Sequence, residues 1–344
     1  MAAVSRTRVV TGPATARSRG GRRLCAWPVL MLAALLALTA GPATAQDEAG
    51  VDAEDLISHF LAIGVCPPWK EGSSPAITAA MRTACGNAID ALVPAMRDRL
   101  GVDPANVTRL LDDQASYAAV ASTLTDLAGT LDQNDRLYVY INLHGGVLPG
   151  IYRGYQVEDE ALALWTEEEP DFSTAIESRA FMFVRELRDL VMAIPTGQTV
   201  IILDACESGA GFRDFRYEPG SLADRLEHTA IIFSAQFDQA ANFTPDDAMA
   251  LFTREFVESL EVTAGQSLAN AVGVAARATH GEVRLNCRNF GPEVFNDQAT
   301  YLDICTQLPL VFDPYGVLDT ITVGVPPVPE ALRGPDSADG GSAG

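Results

Sequence analysis

The sequence predicts an α/β fold in which a mostly parallel sheet is covered by helices on both faces. Three observations carry that expectation. Strand-like apolar runs alternate with helix-like stripes over residues 60–260. Two runs, Arg136-Leu-Tyr-Val-Tyr-Ile-Asn-Leu-His144-Gly-Gly146 and Thr199-Val-Ile-Ile-Leu-Asp204-Ala-Cys206-Glu-Ser-Gly209, are apolar stretches that break into a turn at glycine, as buried strands do, and each strand is expected to end in a reactive side chain. A helical segment lies between them, so each can lie parallel to the other.

The elements follow in order. His59–Val65 is a first strand, ended by the turn Cys66-Pro67-Pro68. Asn87–Leu100 spaces Ile89, Leu92, Val93, Met96 and Leu100 as one face of a helix that stops before Gly101. Val107–Leu111 is a short strand, and Ala115–Leu131 a helix with Val120, Leu124, Leu127 and Leu131 on one stripe. Asn134-Asp135 turns into the strand that ends near His144. Val147–Pro170 is expected to be irregular, with a small hairpin around Tyr155–Trp165. Phe181–Ile194 is expected as a helix stopped by Pro195-Thr-Gly197, after which comes the strand that ends near Cys206. Ala210–Glu227, with Pro219-Gly220, is a loop; Ala230–Ala235 is a strand; Ala248–Leu260 and Ser267–Thr279 are helices. Thr306–Phe312 and Thr320–Val325 are expected to be extended, and the Pro-, Gly-, Ser- and acid-rich tail from Pro326 disordered. The domain boundaries expected are 1–45, 46–325 and 326–344.

The first 45 residues carry addressing information. They hold six arginines and no acid, then the apolar run Ala26–Ala40, then the small-residue site Ala43-Thr44-Ala45. That is the composition of a secretory signal peptide cleaved near Ala45. The run of 15 residues falls short of the ~20 needed to span a bilayer. The expected product is soluble, secreted or periplasmic, with no stable membrane insertion. The whole chain has 24 basic and 45 acidic side chains; without the six leader arginines the charge falls to −27. Such a surface disfavours nucleic acid and anionic lipid, so no nucleic-acid partner is expected, and suits cationic peptides or divalent metal. A monomer or weak oligomer is expected.

Five cysteines lie outside the leader: Cys66, Cys85, Cys206, Cys287 and Cys305. Export permits disulfides, and an odd number leaves a thiol over. Pairing sequence neighbours gives Cys66–Cys85 and Cys287–Cys305 and leaves Cys206; the count is compatible with other connectivities. Chemistry at the carboxyl edge of a parallel sheet places a histidine and a cysteine from two strand ends opposite each other. That is what a thiol nucleophile and its base need. Backbone N–H groups, with Gly145 and Cys206 itself as candidates, would then receive the oxyanion.

These residues resemble the caspase-like clan of cysteine peptidases, in particular bacterial metacaspase-like (orthocaspase) proteins. The resemblance spans about residues 57–275. Tyr138-Val-Tyr-Ile-Asn-Leu-His144-Gly is similar to the family's strand into Ser-Gly-His-Gly, and Asp204-Ala-Cys206-Glu-Ser-Gly209 to its Asp-x-Cys-x-Ser-Gly signature. Ile231–Ala235, Asp238-Gln-Ala240 and Leu251-Phe-Thr253 resemble its next strand and the Phe-Thr helix. The Ala-Cys-Glu-Ser-Gly segment also resembles legumain, a relative that cleaves after asparagine.

The resemblance implies a caspase-like three-layer α/β/α sandwich, with Cys206 as nucleophile and His144 as base. It implies that Asp204 and Asp90 line the pocket for the side chain before the scissile bond, which would favour Arg or Lys. Asn142-Leu143 replaces the family's Ser-Gly and makes Asn142 part of a reshaped pocket wall. The loop with Arg213, Arg216 and Arg225 is a candidate for self-cleavage. No organic cofactor is implied; calcium activation occurs in metacaspases, and Glu158-Asp-Glu160, Glu167-Glu-Glu169 and Asp246-Asp247 permit it without ligand spacing. His59, His228 and His280 have no partners at metal-ligand spacing, so no metal site is expected. The rival expectation is an idle caspase-like module that binds peptides or partner proteins at the cell envelope. A thiol redox protein is a third, weakened by the lack of a second cysteine near Cys206.

Overall fold

The computed structural model describes residues 55–66, 75–152, 155–167, 179–212, 226–244, 249–288 and 304–324. The expected leader, the loop with Arg213, Arg216 and Arg225, the acid runs at 168–169 and 246–247, and the tail lie outside the described residues.

Strand β1 (Ile57–Gly64) leads through helix α1 (Pro75–Leu100) to β2 (Val107–Leu111), and helix α2 (Tyr117–Thr130) to β3 (Asp135–Asn142). Ser116 caps α2, its hydroxyl accepting the Ala119 N–H. Strands β4 (Gly145–Tyr152), β5 (Tyr155–Ala163) and β6 (Phe181–Phe183) follow, then α3 (Val184–Met192), β7 (Gln198–Asp204), β8 (Thr229–Phe233), α4 (Leu251–Val262), α5 (Leu268–Cys287) and β9 (Leu310–Phe312).

Among the described residues one sheet has the order β2-β1-β3-β7-β8-β9, and a second is β4-β5-β6. In the large sheet every neighbouring pair is parallel except β8–β9. Alternation along each strand builds the layers. Phe60, Tyr140, Ile202 and Ile232 point to a core with Leu92 of α1, Phe256 of α4 and Val272 of α5. The residues between them, Ile63, Val139, Ile201 and Phe233, point to a second core with Leu124 of α2 and Leu187 of α3. The fold is therefore a three-layer α/β/α sandwich around a mostly parallel sheet. Each fully buried Leu, Ile or Phe in those layers contributes roughly 1.5–3 kcal/mol.

Several expected elements shift. The hairpin pairs Gly145–Tyr152 with Tyr155–Ala163 rather than lying within 155–165. Gly145, Gly146, Pro149 and Gly150 signal a loop, yet an antiparallel partner supplies the ladder that local propensity lacks. Phe181–Phe183 is a strand paired with Ala161–Ala163, not the first turn of a helix, because these apolar residues find a sheet edge. Helices α1 and α5 each extend beyond the apolar stripe that announced them, to Pro75 and to Cys287. Near 320–325 the chain makes a 3₁₀ turn, Val317–Thr320, and then a single bridge from Thr322 to Ser267. Cys66–Cys85 and Cys287–Cys305 are disulfides with Cα separations of 5.7 and 5.8 Å, and Cys206 is the cysteine outside the disulfides among the described residues.

Candidate active site

Sheet register assembles the site. Strands β3 and β7 are adjacent and parallel, with Asn142 opposite Asp204. His144 and Cys206 each lie two residues past that pair, so both emerge at the same sheet edge. Both are half-buried. They line one cleft, together with Asn142, Asp204, the disulfide residues Cys66 and Cys85, and Phe243. Its interior of about 50 Å³ is large enough for a few waters.

The turn after Cys206 is tightly fixed. Glu207 sits in the left-handed region at φ 57°, unusual for a residue other than glycine. Its carboxylate accepts the Val147 N–H at 3.1 Å, and its own N–H donates to the Gln239 carbonyl at 2.8 Å. Ser208, fully buried, accepts from the Ala235 N–H and donates to the Ala235 carbonyl, both at 3.2 Å. A Cβ on Gly209 would come within 2.9 Å of that carbonyl. The Ser-Gly after the cysteine thus laces the turn onto the residues following β8, and the thiol is carried on a rigid bend. Cys206 Sγ lies 3.9 Å from the Ala241 carbonyl oxygen. On the other side, the His144 carbonyl accepts the Ala163 N–H at 2.9 Å. Gly145 opens β4 with its backbone against the same turn: a Cβ there would be 2.5 Å from the Cys206 carbonyl oxygen.

Asp204 is 2% exposed. Thr253 donates to its Oδ2 at 2.6 Å, and the Tyr140 hydroxyl lies 2.5 Å from Thr253 Oγ1. With the Thr253 proton committed to the carboxylate, Tyr140 donates to Thr253, giving a chain Tyr140–Thr253–Asp204. Oδ1, equally buried, makes no well-aligned hydrogen bond among the described residues, although the Ser234 and Asn142 side chains lie close enough to pull on the carboxyl. Burial pushes the Asp204 carboxyl above the usual carboxylate range, against the hydrogen-bonding pull of Thr253, Ser234 and Asn142. Burial, then the nearby Asp204 charge, holds the Tyr140 phenol well above its ordinary value.

The structure therefore brings Cys206, His144, Asp204 and Asn142 together. Asp90 lies elsewhere: it is exposed on α1, forms an ion pair with Arg109 of β2, and does not line the cleft. Helix phase explains this, because Ile89 and Cys85 are the α1 residues pressed onto β1 at Gly64. Thr253, Tyr140 and the disulfide wall were not assigned to the site from sequence. Thr253 stands in the Leu251-Phe-Thr253 segment, and Tyr138, Tyr140 and Asn142 share one strand face; those were the available signals. His59 pairs with Asp135 at 3.0 Å, toward the amino-terminal ends of the strands and away from the cleft. No group of three or more His, Cys, Asp or Glu able to hold a metal occurs among the described residues.

No family model matches the chain, and no curated protein matches it. Among solved structures, the protein GSU0716 from Geobacter sulfurreducens is similar, with a TM-score of 0.46 and 16% identity over 78% of this chain and 94% of that one. Caspase-1 from Spodoptera frugiperda is also similar, with a TM-score of 0.42 and 13% identity over 75% of this chain and 86% of that one.

Proposed function

We propose that this protein is an exported cysteine endopeptidase that cleaves after Arg or Lys. The carrying observation is that a thiol outside the disulfides and an imidazole line one cleft that also holds a buried carboxyl with one oxygen lacking a well-aligned hydrogen bond among the described residues. An ionised, half-satisfied carboxylate in such surroundings is costly until a cation arrives. A guanidinium or ammonium would complete it through charge-assisted hydrogen bonds.

In the reaction, His144 takes the thiol proton as Cys206 Sγ attacks the scissile carbonyl carbon. The Gly145 and Cys206 amides receive the oxyanion. Collapse breaks the C–N bond; His144 returns its proton to the leaving amine, and a thioester to Cys206 remains. Water, deprotonated by His144, then releases the acid and restores the thiol. The disulfides and the charged, apolar and small-residue order of the leader support export. No helix among the described residues is long and apolar enough to cross a membrane.

The test is purified mature protein beside Cys206→Ala, assayed on fluorogenic peptides ending in Arg, Lys, Asn or Asp, with and without calcium. Cleavage after Arg or Lys that vanishes in Cys206→Ala is the expected result. Cleavage after Asn instead would assign the pocket a legumain-like specificity. Silence on all peptides, with Cys206 refusing iodoacetamide at neutral pH, would leave a binding module.

A further inference from the structure

The wall of the cleft contributed by β1 and α1 is a covalent one. Cys66 follows β1 and Cys85 belongs to α1; both are buried, and both line the same cleft as Cys206, His144 and Asp204. The chain places them there by two contacts. The Val65 N–H donates to the Asn142 carbonyl at 2.9 Å, which carries the β1–β3 ladder one residue further and sets Cys66 beside the approach to His144. Helix α1 is pressed onto the end of β1: a Cβ at Gly64 would be 2.8 Å from Ile89 Cδ1 and 3.4 Å from Cys85 Cβ. The Cys66 N–H is held by Asp112 Oδ1 at 3.1 Å. Phe243 packs on the cysteine pair and lines the cleft too. One side of the cleft is thus apolar, formed by the disulfide and an aromatic ring, and the same cleft holds the half-satisfied Asp204 carboxyl.

The geometry points to the Cys66–Cys85 disulfide as a specificity-determining wall of the substrate pocket, holding the aliphatic stem of an Arg or Lys side chain whose cation reaches Asp204. This rests on the peptidase reading above. Long basic side chains lay their methylenes along apolar surface and keep the charge at a polar partner, and this cleft offers both. The wall comes in part from α1, the helix from which a second acid was expected, so apolar contact replaces a second charge. Binding of basic peptides then depends on an oxidised disulfide within the same cleft as a thiol that must stay reduced. A strong reductant opens the wall: a phosphine such as tris(2-carboxyethyl)phosphine with one water gives two thiols and the phosphine oxide.

The experiment compares wild type with Cys66→Ala/Cys85→Ala and, as a control, Cys287→Ala/Cys305→Ala, measuring kcat and KM on an Arg-ended peptide and the iodoacetamide rate at Cys206. The wall predicts a KM raised tenfold or more in the first variant, with kcat within threefold and the alkylation rate within twofold of wild type. The control keeps the wild-type KM. Because the first variant could fail to fold, a second arm reduces folded wild type by graded phosphine exposure and maps which disulfide has opened. KM should rise with the fraction of Cys66–Cys85 reduced and ignore Cys287–Cys305. An active enzyme whose KM stays within twofold after Cys66–Cys85 is open overturns the wall alone. Wild type silent on every basic peptide overturns the peptidase reading, and the wall with it.

Discussion

Gly145→Ala is the sharpest test of how closely the histidine strand and the cysteine turn are fitted. The added methyl carbon would lie 2.5 Å from the Cys206 carbonyl oxygen, 2.6 Å from Glu160 Oε1 and 3.1 Å from Ala205 Cβ. Contacts under 3.0 Å are essentially never seen for a Cβ, so the first separation must lengthen by at least 0.5 Å. The opposing atom is backbone, on the nucleophile itself, and cannot swing aside as the end of a side chain would. A misplacement of about 1 Å costs on the order of 10²-fold in rate, so half that displacement or more predicts a loss of roughly 10- to 100-fold. That is about 1.4–2.7 kcal/mol of transition-state stabilisation. The assay is kcat/KM on an Arg-ended peptide, paired with the Cys206 alkylation rate and the Tm. Gly146→Ala is the control, since its added Cβ meets nothing within 4 Å. A Gly145→Ala enzyme within threefold of wild type, with an unchanged Tm, would refute the close fit.

Asp204→Asn should lower kcat/KM on Arg and Lys peptides by on the order of 10²-fold or more, as loss of a desolvated charge partner does. Because burial raises this carboxyl in the folded protein, its contribution to stability is present below the unfolded carboxylate range and is lost as pH rises through the folded value. Urea midpoints measured from pH 4 upward should therefore fall less steeply in Asp204→Asn than in wild type; parallel curves would contradict this. Burial pushes the Tyr138 phenol up to about 12, against about 10 unfolded, so the protein loses on the order of 3 kcal/mol as pH climbs from 10 to 12. Tyr138→Phe should flatten that alkaline decline, read by chemical denaturation in that window. Removing Cys287–Cys305, which joins residues 18 apart, should cost about 3 kcal/mol on the chain-entropy account; a midpoint shift under 1 kcal/mol would count against it.

The parallel sheet was legible because its inner strands are continuous apolar runs, and the half-buried cysteine and histidine were legible because each stands just past such a run. The disulfide pairing is the one that sequence adjacency suggested, out of several the count allowed. Three things were hidden for physical reasons. The first strand of the hairpin, rich in glycine and carrying Pro149, gains its structure from β5 and not from its own propensities. Phe181–Phe183 carries an apolar pattern too short to separate strand from helix, and only its partner decides. Asp90 was carried over by its place in a resemblance, whereas the helix turns it outward toward Arg109. The Thr253–Asp204 hydrogen bond joins residues 49 apart, a distance over which periodicity carries no information.

The register of β3 on β7 also determines how this protein can fail. Both strands are flanked on each side, β3 by β1 and β7, β7 by β3 and β8. A slip of one residue would carry the thiol about 3.3 Å along the sheet and exchange the two cores. No partial slip is compatible with packing, so the strand ends that carry the thiol and the imidazole keep their register while the sheet holds. Sites built on lids open and close far below the global stability; this one is mounted just past two strands flanked on both sides within the sheet. Hydrogen exchange should find the amides of Tyr138–Asn142 and Val200–Asp204 released only by global unfolding, and thermal inactivation should coincide with loss of fold.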